Sequence, residues 1–198
     1  MTASSTARAV TLMFCDDPSA VDLKDLVDAS GPAATAAARY TATATAPVGS
    51  APLTQPGLIV LESEGGPVAT PDVVGGATVL GAVTVTQSRD AHPADDGHTA
   101  LLVVLVTNLD TARQDDYERW YDEVHMPEVL GTGTYRASAR LTPDERAGAD
   151  TLALYATDWE DPDDALSTLF SNNGNMTMWE QVDTHHVGSY RLQERYTR

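Results

Sequence analysis

Two apolar runs, VTLMFC at Val10–Cys15 and TALLVVLVT at Thr99–Thr107, each open the same succession of elements. That repetition constrains the fold more than any other feature of the chain. After the first run, Asp22–Ala29 places Leu23, Leu26 and Val27 on one helical face, and Gly31-Pro32 stops the helix. Extended segments are then expected at Ala38–Ala46, where Thr alternates with Ala, at Gly57–Ser63 and at Val79–Gln87. Pro47–Pro56 reads as a loop and Thr70–Gly76 as a short connection. The polar stretch Ser88–His98, with its Pro and Gly, separates the halves. The order then restarts. Thr99–Thr107 is a strand apolar enough for burial on both faces, and a helix follows from Gln114. At Thr134–Thr142, Tyr135, Ala137, Ala139 and Leu141 alternate with polar residues as in a half-buried strand. Thr151–Trp159 is the next strand. Asp161-Pro162-Asp163-Asp164 supplies a cap, a first-turn Pro and acid at a helix start. Met176–Asp183 is expected to add a helical turn around Trp179, and His186–Tyr196 to close as a strand.

Each half thus reads β-α-β-β-α-β, the split order of a ferredoxin-like unit. Repeated in one chain, it predicts an α+β protein of two such units fused in tandem. Residues 1–90 form the degenerate half, without a counterpart of Tyr121 or His125. Residues 97–198 form the half that carries them.

The chain has 198 residues, enough for one sizeable domain or two small ones. Its formal net charge of −17, with 12 Lys and Arg, argues against nucleic acid and against an anionic membrane surface as partners. The single cysteine, Cys15, excludes an intrachain disulfide framework and fits a reducing compartment. Two aspartates follow it and would raise its pKa, so it reads as a buried structural thiol. No apolar run approaches a membrane span, and MTASSTARAV lacks the apolar core of a secretory signal. A cytoplasmic location is expected.

The densest passage is Gln114–Gly133, QDDYERWYDEVHMPEVLGTG. Read as a helix, it sets Tyr117, Trp120, Tyr121, Val124, His125 and Glu128 on one face. Asp115–Arg119 and Arg119–Glu123 make i,i+4 pairs on the other side. Pro127 lacks an amide hydrogen, and its ring would clash with the carbonyl of Glu123. The helix is therefore expected to end or kink at about His125. An imidazole held there, among aromatics, titrates near neutral pH and suits general acid–base work. It equally suits a plain helix cap that bonds the free carbonyls.

WYDEVHMPEVLGTGTYRASARL (Trp120–Leu141), followed by LALYATDW, resembles the EthD-like branch of the dimeric α/β-barrel superfamily. The match covers about the second half of the chain, in an aromatic-Tyr-Asp-x-x-His-x-Pro helix end, a Gly-containing turn and an Arg-containing strand. The resemblance implies two four-stranded sheets packed as a barrel, which here one chain would build from its two halves, with a homodimer also open. Relatives include cofactor-free cyclases, decarboxylases, monooxygenases and isomerases, and members without known activity.

The resulting expectation is a cofactor-independent enzyme of polyketide-type biosynthesis, cyclising or isomerising a small hydrophobic carbonyl or aromatic substrate. A cofactor-free monooxygenase of a phenol and a non-catalytic small-molecule binding protein are the alternatives. His125 would be the base, Tyr121 and Tyr135 the donors to a developing enolate. Tyr117, Trp120, Tyr155 and Trp179 would contact substrate, and Asp122 and Glu128 would orient His125. Arg140 would meet solvent or a carboxylate. No metal site is expected, since His185 and His186 are adjacent and point to opposite faces of a strand. No phosphate loop or nucleophile elbow is present.

Overall fold

Strand order is what places the site. The computed structural model describes residues 8–43, 48–49, 55–66, 68, 73–74, 77–87, 97–143 and 149–198. Its strands are β1 (Arg8–Cys15), β2 (Ala34–Ala42), β3 (Val48–Gly49), β4 (Gly57–Glu64), β5 (Val73–Val74), β6 (Ala77–Gln87), β7 (Ala100–Asn108), β8 (Ala137–Leu141), β9 (Thr151–Thr157) and β10 (Val182–Thr197). The helices are α1 (Leu23–Ala29), α2 (Gln114–Trp120), α3 (Met126–Gly131) and α4 (Pro162–Asn172). The strands pair antiparallel in the order β5-β6-β1-β4-β2-β10-β7-β9-β8, with β3 added beside β10.

Both β6-β1-β4-β2 and β10-β7-β9-β8 set the fourth long strand of a half beside its first, and the second at the far end. This is a ferredoxin-like order within an α+β fold. β10 joins the two runs. It pairs with β7 over Val182–Arg191 and with β2 over Tyr190–Thr197. The outermost long strands, β6 and β8, approach one another, so the sheet curls. One core, including Leu12, Phe14, Tyr40, Val103, Leu105, Leu154 and Tyr190, fills the concave side with residues of both halves. A second packs α1 on the sheet through Leu23, Leu26 and Val27. A third lies under α2, α3 and α4.

Several boundaries differ from the expected ones. β2 begins at Ala34 and ends at Ala42, four residues before the expected start and end. The alanines there are extended despite their helix propensity, because β4 and β10 satisfy both edges of the strand. β8 is shorter than expected, since Gly133 (φ 74°) turns the chain and Tyr135 precedes the strand. Met176–Asp183 forms no helix. A 3-10 turn at Asn173–Asn175 leads into an irregular strap that ends at β10.

The start of α4 follows its sequence: Asp161 caps it by accepting from the Asp163 amide, and Pro162 occupies the first turn. Residues 88–96 of the expected boundary lie outside the described residues. His98 is not a linker residue but is buried, its Nε2 3.0 Å from the Tyr40 hydroxyl. Cys15 is buried, and burial pushes its thiol up to about 11, with Asp16 and Asp17 adding to the effect. No helix among the described residues is long and apolar enough to cross a membrane.

Candidate functional site

The helix carrying His125 does not end at Pro127. α2 passes into a π-helical turn, Tyr121–His125, and continues as α3, with the Met126 amide bonded to the Tyr121 carbonyl. A π turn bonds five residues back instead of four. Pro127 then falls in the first turn of α3, where a missing amide is best tolerated. The extra residue also resets the helix phase. In an unbroken α-helix, Val129 would point about 120° away from Tyr117, whereas absorbing one residue reduces the offset to about 20°. Tyr117, Tyr121 and Val129 are all buried, while Glu128, expected on that face, is half-buried.

His125 consequently sits inside a helix, so it is not a C-terminal cap. Its ring stacks on Trp120 at 4.8 Å and meets Tyr121 edge-on at 5.1 Å. Its Nδ1 is buried with no hydrogen-bond partner among the described residues. Burial lowers its pKa, against a smaller opposing effect of Glu128. At neutral pH the imidazole is therefore uncharged.

His125 borders a cavity of about 150 Å³, enclosed by the α2–α3 helix, α4, the sheet and the strap before β10. Trp120, Tyr121, Tyr155, Met176 and Trp179 line it with His125, and Leu102, Val104 and Val187 provide its floor from β7 and β10. Among the described residues, no Arg or Lys lines it. Burial raises the Tyr121 and Tyr155 pKa values, so both hydroxyls stay protonated, and each is the other's polar neighbour.

The remaining expected residues are elsewhere. Tyr117 is fully buried one turn earlier, where it donates to Thr151 Oγ1 at 3.3 Å, and it does not line the cavity. Tyr135 packs its ring 5.8 Å from that of Tyr155, and its buried hydroxyl has no partner among the described residues. It also lies outside the cavity lining, because the Gly133 turn sets it ahead of β8.

Asp122 does not hold His125: it receives a bidentate pair from Arg140 of β8 at 2.7 and 2.8 Å. Glu128 does not hold it either. Its two oxygens accept from the Thr177 amide (2.8 Å) and hydroxyl (3.0 Å). The role of orienting residue is thus corrected for both carboxylates. On β10, His185 bonds Thr107 at 2.8 Å while His186 is buried near Tyr190, so the adjacent rings have separate partners. Among the described residues, no group of three or more His, Cys, Asp and Glu is placed to hold a metal ion.

Asn108 escaped the sequence reading. Buried at the end of β7, it accepts from Trp179 Nε1 (3.1 Å) and donates to Gln114 (2.9 Å), tying the strap to the helix start. Its signal was an Asn placed directly after an unbroken apolar run.

No family model matches the chain, and no curated protein matches it. Solved structures do. An arginine variant of chlorite dismutase from Candidatus Nitrospira defluvii superposes with a TM-score of 0.58 at 10% identity, over 96% of this chain and 92% of that one. Chlorite dismutase from the same organism in complex with imidazole gives 0.58 at 10% identity, over 98% and 93%. A tryptophan variant in complex with cyanide gives 0.56 at 11% identity, over 96% and 92%. At such identities the likeness establishes the ferredoxin-like α/β fold alone.

These findings correct the expected function. The structures that share the fold along nearly the whole chain are chlorite dismutases, and against them a cofactor-independent polyketide cyclase or isomerase and a cofactor-free monooxygenase are set aside.

Proposed function

We propose that this chain is a haem-binding enzyme whose helix–strap cavity would take the porphyrin, with His125 as the residue that would hold its iron. Imidazole and cyanide, each bound in one of the similar structures, are both ligands of an iron centre, which motivates the reading. The observation that carries it is His125 itself: an uncharged imidazole at the cavity wall, buried at Nδ1 without a partner among the described residues. Neutral imidazole is the form that ligates a metal, and a single proximal His suffices for haem.

The donor therefore fits. The walls fit in kind, since aromatic and thioether side chains suit a planar apolar group. The cavity measures about 150 Å³ with the strap in place, and pockets that enclose a whole small ligand run to roughly 300–1,000 Å³. Binding thus requires the strap to move outward.

Bound there, haem would supply one-electron and oxidant chemistry that amino-acid side chains lack. The chain contributes the rest. Trp120 fixes the imidazole plane by stacking, and the π turn sets its aim. The Asp122–Arg140 pair holds that turn to β8, while Tyr121 and Tyr155 keep protonated hydroxyls as donors. Chlorite dismutation is not part of the proposal, because no Arg or Lys among the described residues lines the cavity to meet an anion.

Two finer assignments belong to the same proposal. One is a tandem of two ferredoxin-like units of EthD-like type closed as a barrel, supported by the repeated strand order and the approach of β6 to β8. The other is a homo-oligomer, to which the exposed side chains of Leu109 and Phe170 would contribute apolar contacts. The experiment is a titration of the purified chain with haemin, read by absorption. A saturable shift of the Soret band at one equivalent, lost in a folded His125→Ala variant, is expected. A spectrum that stays that of free haemin, or one indifferent to His125→Ala, refutes the proposal.

A further inference from the structure

We infer that residues 173–181 form a lid over the His125 cavity, latched shut by Glu128; the inference rests on the ligand site proposed above but is tested separately from it. Three polar groups of one strap residue are held by the α2–α3 helix. The Thr177 amide and hydroxyl donate to the two oxygens of Glu128 at 2.8 and 3.0 Å, and the Thr177 carbonyl accepts from Trp120 Nε1 at 3.1 Å. A second attachment lies two residues on, where Trp179 Nε1 donates to Asn108 and the Arg113 guanidinium sits 4.5 Å over the indole ring. Between and around these points the strap contributes Met176, Met178 and Trp179 to the cavity wall.

None of its residues is buried, and Met178 is 53% exposed although it lines the cavity. Its apolar anchoring comes down to Met176 and Trp179, which pack partly buried against the core under α2, α3 and α4, the Trp179 ring 5.7 Å from those of Tyr117 and Trp120. Segments held by a few exposed hydrogen bonds are the ones that open locally without global unfolding. Its ends are defined: Gly174 is the middle residue of the 3-10 turn behind α4, and at the other end the Leu109 amide bonds the Gln181 carbonyl before β10 begins. Glu128 belongs to the same helix as His125, three residues on, so the latch and the imidazole share one rigid support. Releasing Thr177 uncovers the cavity without shifting His125.

The test compares the wild type, Glu128→Ala and Thr177→Val by amide hydrogen exchange, tryptophan quenching with acrylamide, and stopped-flow association of haemin. Removing the charged acceptor should speed exchange of the strap amides at least tenfold and raise quenching, with β7 and β10 amides unchanged. Thr177→Val, which loses only the hydroxyl bond, should fall between. Haemin association should accelerate in the same order, ending at the wild-type spectrum. Strap exchange as slow in Glu128→Ala as in the wild type overturns the latch. Faster exchange with unaltered haemin association overturns the gate. If haemin binds to none of the three proteins, the haem reading fails by itself, and the exchange and quenching results still decide the lid.

Discussion

His186 should make folding stability depend on pH in a calculable way. Its ring is 0% exposed, lies edge-on to Phe14 at 5.3 Å, and has Nε2 3.3 Å from the Tyr190 hydroxyl, with Nδ1 buried and unpartnered among the described residues. Burial lowers its pKa from 6.5 to about 4. The unfolded chain takes up a proton at this residue below about pH 6.5, and the folded chain refuses it until about pH 4. The unfolded state binds more protons across that window, so stability falls as pH falls. The slope is about 1.4 kcal/mol per pH unit, on the order of 3 kcal/mol in all by pH 4. Above pH 6.5 the residue contributes no slope. Carboxylates titrate in part of the same window, so the measurement is a difference: urea unfolding of the wild type and of His186→Gln at steps between pH 4.5 and 7.5. The two stability curves should converge or cross toward low pH, with the variant lacking this slope. Parallel curves would show that His186 accepts its proton as readily folded as unfolded, and would refute the argument from burial.

Pro127→Ala should change helix content by circular dichroism very little and stability by less than about 1 kcal/mol, because the helix already runs through that position; a clear gain of helix would contradict the π-turn account. Arg140→Met removes the bidentate partner of Asp122, both groups being partly exposed (17% and 25%). It should cost about 1–2 kcal/mol in urea unfolding and also shift the His125 imidazole resonances, whereas unshifted resonances would separate the pair from the site. Cys15 should react with a disulfide reagent at a rate that tracks unfolding, because it is buried and its thiol lies at about 11; rapid labelling of the native protein would refute that.

Strand order was legible because the strands are short apolar runs between turn signals, and burial on both faces leaves little choice of element for TALLVVLVT. What failed was extrapolation of a constant period. Reading Gln114–Gly133 at 3.6 residues per turn put Glu128 on the inner face, and the structure puts Val129 there, one residue later. The clue was available: Val129 follows Pro127 out of phase with Tyr117, and one added residue brings the two onto the same face. Asp122 and Glu128 lay in the right passage, but their partners, Arg140 and Thr177, come from β8 and from the strap, 18 and 49 residues away. Local spacing cannot choose between such partners. The strap itself has a weak apolar period around Met176 and Trp179 that mimics a helical turn. Those side chains are spaced by the cavity they wall, and the backbone between them bonds to other elements instead of to itself.

The most direct test of the central claim is chemical rescue at His125. In His125→Gly, deleting the ring leaves a space beside Trp120 and Tyr121 that free imidazole can occupy. The account predicts that the variant, shown folded by its urea transition, loses the axial-ligand signature of the haemin complex, and that millimolar imidazole restores the wild-type absorption and electron paramagnetic resonance spectra. A variant whose haemin spectrum already equals the wild type before imidazole is added would contradict the assignment of His125 as the ligand.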